Sequence, residues 1–136
     1  MPAFYAGFGC RRGCPADALL RLLRQALDNQ GLALADLRGI ASISLKADEP
    51  GLQQLAERLG LPLVLYHGAQ LQPYDARLSQ HSELSRQLTG SAGVAEASAL
   101  AQAESLTGGR ARLLGPRQHN ASATCAIAVA PSMEPA

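Results

Sequence analysis

The stretch IASISLKADEPGLQQLAERLGLPLVLY, residues 40–66, reads as three pieces in a row. The apolar run at 40–45 predicts a buried strand, and the polar KADEP after it a loop. The segment from about Pro50 to Leu59 predicts a helix stopped by Gly60, and LPLVLY at 61–66 the next strand. Upstream, AFYAGF at 3–8 is a further short apolar run, and a glycine-rich turn leads from it into PADALLRLLRQAL at 15–27. There Leu19, Leu20, Leu23, Ala26 and Leu27 recur at helical spacing, Pro15 suits the first helical position, and Gly31 follows the last turn. Strand, helix, strand, helix, strand needs crossover connections, because parallel neighbours cannot be joined by a tight turn. The expected fold class is therefore α/β, a three-layer α/β/α sandwich with a largely parallel or mixed central sheet.

Beyond residue 66 the pattern weakens. A short helix is expected at SELSRQL, 82–88, and a long small-residue helix at GVAEASALAQAESL, 93–106, with Val94, Ala97, Leu100, Ala101 and Glu104 on one side. ARLL at 111–114 and ATCAIAVA at 123–130 read as late strands, the second internal because it is apolar on both faces. One domain over residues 1–130 and a flexible tail over 131–136 are expected.

Composition excludes several function classes. Twelve Lys and Arg against eleven Asp and Glu leave a net charge of +1, so no global field holds a polyanion, and 4% aromatics are too few for base stacking. Nucleic acid is not an expected partner. No apolar run approaches the roughly 20 residues of a membrane span, and the first residues lack the pattern of a signal peptide, so no membrane contact and a cytoplasmic location are expected. Three cysteines, an odd number, fit reduced thiols better than a disulfide scaffold. His67, His81 and His119 stand at no metal-ligand spacing, so neither a metal nor a cofactor is expected.

In open α/β sheets ligands collect beyond the carboxyl ends of strands, where helix N-termini favour anions. The turn GFGCRRG, 7–13, lies at such a place. Gly7, Gly9 and Gly13 permit close backbone approach, while Arg11 and Arg12 offer forked donors for carboxylate or phosphate. The plainer alternative is a tight turn with two solvated arginines. Cys10 and Cys14 are four apart, unlike a C-x-x-C redox pair; a helix end and arginines would lower a thiol pKa, but small turn residues need no chemistry. Lys46, Asp48 and Glu49 follow the second strand, either to set an ammonium and a general acid or base beside a ligand or, through Asp48 or Glu49, to cap the helix. Thr89, Ser91, Gly93 and Val94 feed a third helix start, with Glu96 in its first turn as general base or capping group. Arg117, His119, Asn120, Ser122 and Thr124 form either a hairpin loop or a ligand-contacting rim.

Taken in order, GFGCRRG, IASISLKADEPGLQQLAERLGLPL, GSAGVAEASAL and ATCAIAVA resemble the CobE family of cobalamin biosynthesis proteins, itself similar to the C-terminal domain of CbiG. The likeness runs from about Ala3 to Ala130 and implies a compact α/β/α domain with a role in the corrin pathway. In the CbiG relatives the full protein opens the lactone ring of a cobalt-containing precorrin and releases a two-carbon fragment; this chain resembles only their C-terminal portion. The matching positions are Gly7, Gly9, Cys10, Arg11 and Gly13, then Lys46, Asp48 and Glu49, then Gly93, Val94, Glu96 and Ala97. Where the family commonly has a lysine after the strand corresponding to ARLL, this chain reads GPR, with Arg117 the nearest cation.

Precorrins carry a fringe of carboxylates around an apolar macrocycle, so a site for them needs an apolar floor rimmed by glycine turns, helix ends and cations. The expected substrate-binding set is Gly9, Cys10, Arg11, Arg12, Gly13, Lys46, Asp48, Ser91, Gly93 and Val94. Three readings stand open: a binding or accessory protein for a tetrapyrrole intermediate; a lactone hydrolase in which Glu96 or Glu49 activates water while Arg11 or Lys46 stabilises the developing charge; and a docking module for another pathway enzyme, presenting its alanine-rich helix.

Overall fold

The computed structural model describes residues 2–44, 49–79, 81–89 and 93–131. Its strands are β1 (Pro2–Cys10), β2 (Leu37–Ile43), β3 (Leu63–Tyr66), β4 (Arg112–His119) and β5 (Ala123–Pro131). Its helices are α1 (Ala16–Asp28), α2 (Pro50–Leu59), α3 (Gly68–Leu71), α4 (Glu83–Thr89) and α5 (Val94–Thr107). The sheet order is β3-β2-β1-β5-β4, so β1 lies at the centre. Along β1, Ala6 and Phe8 pack under α1 and α2, whereas Ala3 and Tyr5 pack under α5. β5 divides in the same way, Cys125 and Ile127 on one face and Ala128 and Ala130 on the other. A strand covered on both faces has no polar side to show, which is why ATCAIAVA reads as internal.

The sheet is mixed. β1 pairs with β2 and β2 with β3 in parallel, but β5 runs antiparallel to both β1 and β4. No crossover helix separates β4 from β5. Asn120 closes the hairpin between them, its Oδ1 accepting the backbone N–H groups of Ser122 and Ala123, each at 2.8 Å. β4 outruns the expected ARLL because it continues past an irregularity: pairing jumps from Leu114 with Ile127 to Gln118 with Cys125, so residues 115–117 stand opposite Ala126 alone. Gly115, at φ 62, makes that excursion possible.

On the first face, α1 sets Leu19, Leu22, Leu23 and Leu27 against the sheet, with Leu20 only half-buried. Pro15 precedes α1 in extended conformation, so the helix begins one residue later than expected. α2 matches its expected span, and Gly60 ends it in the left-handed region at φ 65.

α5 departs from its one-sided reading. All of its residues from Val94 to Ala103 are buried, because β1, β2 and β5 lie along it while α3 and the 3-10 turn at 72–77 also pack against it. Over that run it has no free face to offer a partner, contrary to the docking role expected of it, and only its last turn, with Leu106, is exposed. Its three buried polar residues are tied down. Glu96 accepts from Ser79, Ser98 Oγ donates to the Ala95 carbonyl at 3.3 Å, and Gln102 Nε2 donates to the Ile40 carbonyl at 2.9 Å. Gly7 carries the closest contact in the core: the Ala95 carbonyl and the Ala99 nitrogen occupy the space a Cβ would need.

At the far end of α5, Glu104 accepts from Arg77 Nη2 at 2.9 Å and from the Ala111 N–H at 2.8 Å, while Arg77 also donates to the Ala111 carbonyl at 2.6 Å. Burial alone would raise the Glu104 pKa; the hydrogen bonds from Arg77 and Ala111 and the Arg77 charge outweigh it and hold the carboxyl below its ordinary value. A lowered folded-state pKa contributes stability above the unfolded value, and that contribution is lost as pH falls through the folded one. Glu104→Gln should thus cost about 1 kcal/mol at neutral pH and show a shallower loss of stability on acidification, read by urea unfolding at several pH values.

Of the tail expected at 131–136, Pro131 ends β5 opposite Pro2, and 132–136 lie outside the described residues. Among the described residues no helix is long and apolar enough to cross a membrane.

Candidate functional site

Strand order runs from β1 outward through β2 to β3 and resumes on the other side of β1 with β5. Ligands gather at such a reversal, beyond the carboxyl ends of the strands. A cleft of about 660 Å³ lies there. Gly9 and Cys10 at the end of β1 and Ile43 at the end of β2 form its base, Gly93, Val94 and Ala95 its α5 side, and Thr124 its β5 side. Leu84 and Leu88, one turn apart on α4, are 66% and 69% exposed and form an apolar wall. Among the described residues two cations line it: Arg11, directly after β1, and Arg117, carried into place by the irregularity of β4. No Asp or Glu is among its described lining residues. The Arg11 N–H donates to the Ser122 carbonyl at 2.8 Å, fixing the loop, while its guanidinium is in no ion pair among the described residues.

Of the expected binding set, Gly9, Cys10, Arg11, Gly93 and Val94 meet in this cleft. Arg12 is exposed and does not line it. Gly13 stands outside it at φ 80, a conformation glycine adopts freely, and donates its N–H to Glu49 Oε2 at 2.9 Å. Lys46, Asp48 and Ser91 lie outside the described residues.

Glu49 and Glu96 are both placed away from the cleft. Glu49 is 7% exposed and precedes α2 without a side-chain cap on it; its carboxylate reaches across to Gly13 and joins the first loop to the second. Glu96 is 1% exposed and accepts from the Ser79 N–H at 3.2 Å and the Ser79 hydroxyl at 2.6 Å, pinning the segment after the 3-10 turn to α5. Glu96→Ala removes the acceptor of both bonds from Ser79, an exposed residue whose donors can turn to water, and should cost about 1 kcal/mol in chemical denaturation. An unchanged midpoint would show that the pairing contributes nothing.

Cys14 and Cys125 are not activated thiols. Burial, and then the negative charge of Glu49, push the Cys14 pKa up, opposite to the lowering a helix end and arginines would give; burial also pushes up Cys125. His67 Nδ1 lies 3.1 Å from Ser44 Oγ, a contact between the segments just after β2 and β3, and His81 Nε2 lies 2.5 Å from the Asp75 carbonyl six residues back. Among the described residues no three His, Cys, Asp or Glu side chains gather as a metal site.

Sequence reading missed Leu84, Leu88, Ser82 and Ser85 as lining residues. The i, i+4 leucines were a legible sign, but nothing in sequence says that this short helix stands over the end of β1.

Comparison with known proteins bears on the whole chain. The family model for the cobalamin synthesis G C-terminus matches residues 4–128. Protein CobE of a Sinorhizobium species is 37% identical over 122 residues, which are 90% of this chain and 77% of that protein. A crystal structure of CobE, a protein from the cobalamin (vitamin B12) biosynthetic pathway, superposes with a TM-score of 0.92 at 45% identity, covering 96% of this chain and 92% of that one. The cobalt-precorrin-5A hydrolase of Salmonella typhimurium is 39% identical over 70 residues, 52% of this chain but only 20% of that protein. The chain belongs to the CobE and CbiG C-terminal family of cobalamin biosynthesis proteins.

Proposed function

We propose that the cleft beyond β1 holds a tetrapyrrole intermediate of the corrin pathway, its apolar body against Leu84, Leu88 and Val94 and its acidic fringe on Arg11 and Arg117. The observation that carries this reading is the make-up of the cleft: two arginines, an apolar wall, and no carboxylate among the described lining residues. Its volume of about 660 Å³ is that of a small-molecule site. Holding the ligand is favoured over hydrolysing it, because Glu49 and Glu96 direct their carboxylates to Gly13 and Ser79 rather than into the cleft. A general base must lie within reach of the water it activates.

The test is an absorbance titration of the purified protein with a lactone-bearing tetrapyrrole, followed by size exclusion and mass analysis of the released pigment. A saturable shift, co-elution and an intact lactone are expected. Absence of a shift would overturn the reading; release of an opened ring lacking two carbons would replace it with the hydrolase.

A further inference from the structure

A second, smaller basin of about 280 Å³ adjoins the cleft and shares Gly9, Cys10, Arg11 and Thr124 with it. The two differ in character. The larger is walled by Leu84, Leu88, Ile43 and Val94, whereas the smaller is closed by the β4–β5 hairpin and bears His119, Asn120 and Ser122. Within the hairpin several backbone groups are already committed: the N–H groups of Ser122 and Ala123 donate to Asn120 Oδ1, the Asn120 N–H donates to the Ala123 carbonyl, and the Ser122 carbonyl accepts from Arg11. What the basin offers a ligand is thus side-chain chemistry, the His119 ring and the Ser122 hydroxyl beside the Arg11 guanidinium. It is too small for a macrocycle and large enough for one of its side arms.

We infer that the small basin is an arm subsite, in which Arg11 and His119 bind a peripheral carboxylate of the tetrapyrrole whose body lies in the larger cleft. This rests on the proposed ligand reading and adds a selectivity to it. Arg11 and the donors beside it reward an anion, whereas a carboxamide in the same place brings no charge of its own, accepts only through its carbonyl oxygen and sets its N–H groups against a cation. The protein accordingly acts on the acid form of the ligand, upstream of any reaction class that amidates this arm.

Two probes share one macrocycle and differ in their arms: dicyanocobyrinic acid, with carboxylates, and dicyanocobinamide, with amides. The wild type should bind the acid at least tenfold more tightly. His119→Ala should bring that ratio down severalfold, the loss falling on the acid more than on the cobinamide, and Leu88→Ala should weaken both probes equally and keep the ratio. A ratio of two ligands on one preparation is insensitive to the fraction of protein that is folded. Equal binding of the probes by the wild type, or a ratio untouched by His119→Ala, would overturn the arm subsite and leave the ligand reading standing. Failure of both probes to bind would overturn the two together.

Discussion

Gly7→Ala should lower the free energy of unfolding by about 3 kcal/mol, and Gly7→Val should leave no cooperative transition. The new Cβ would fall on the Ala95 carbonyl and close to the Ala99 nitrogen. Both are backbone atoms of α5, which the sheet holds from below and the 72–79 segment from above. No side chain can swing aside, so relief requires the whole helix to lift from β1, and with it Ala97, Leu100 and Ala101. Gly9 supplies the control within the same strand, since a Cβ there would lie 3.9 Å from that of Val94, an ordinary contact. Gly9→Ala should unfold within about 1 kcal/mol of the wild type. Urea midpoints for the two variants decide the matter, and equal midpoints would contradict the close approach of α5.

Replacing both cleft cations, Arg11→Ala with Arg117→Ala, should weaken binding of dicyanocobyrinic acid by about a hundredfold, since each charge-assisted contact is worth roughly tenfold or more. The wild-type affinity should fall as salt rises and the variant's should hardly move, because screening acts on charges that the variant lacks. The loss of the Arg11 side chain should leave the unfolding transition in place, as the fixed element of Arg11 is its backbone N–H, bonded to Ser122. Unchanged affinity in the double variant would detach the cations from the ligand.

Much of the fold was legible because local signals and burial agreed. Gly60 terminates α2 where a left-handed residue is needed, and the double-sided apolarity of β5 placed it inside the sheet. The antiparallel pairing of β5 with β4 was contained in the hairpin-loop reading of residues 117–124, whereas its antiparallel sense beside β1 depends on which strands become neighbours and has no local signal. For α5, residues that share one side of a helix were read as its buried stripe, although the run from Val94 to Ala103 holds a single charged residue and is buried all round.

At the site, residues adjacent to strand ends could be found from sequence, and Gly9, Cys10, Arg11, Gly93 and Val94 do meet. What a charged side chain does once there was beyond reach. Glu49 and Glu96 follow strand or loop ends as catalytic acids do, yet their partners, Gly13 and Ser79, are distant in sequence. Arg117 enters the cleft through a break in pairing that only the register of β4 against β5 reveals.

The most direct measurement is a crystal structure of the protein with dicyanocobyrinic acid bound. The macrocycle should lie along Leu84, Leu88 and Val94 with carboxylates on Arg11 and Arg117. Pigment bound instead at the opposite end of the strands, where Arg110 and Arg112 flank Pro2 and Pro131, with the cleft beyond β1 empty, would contradict it.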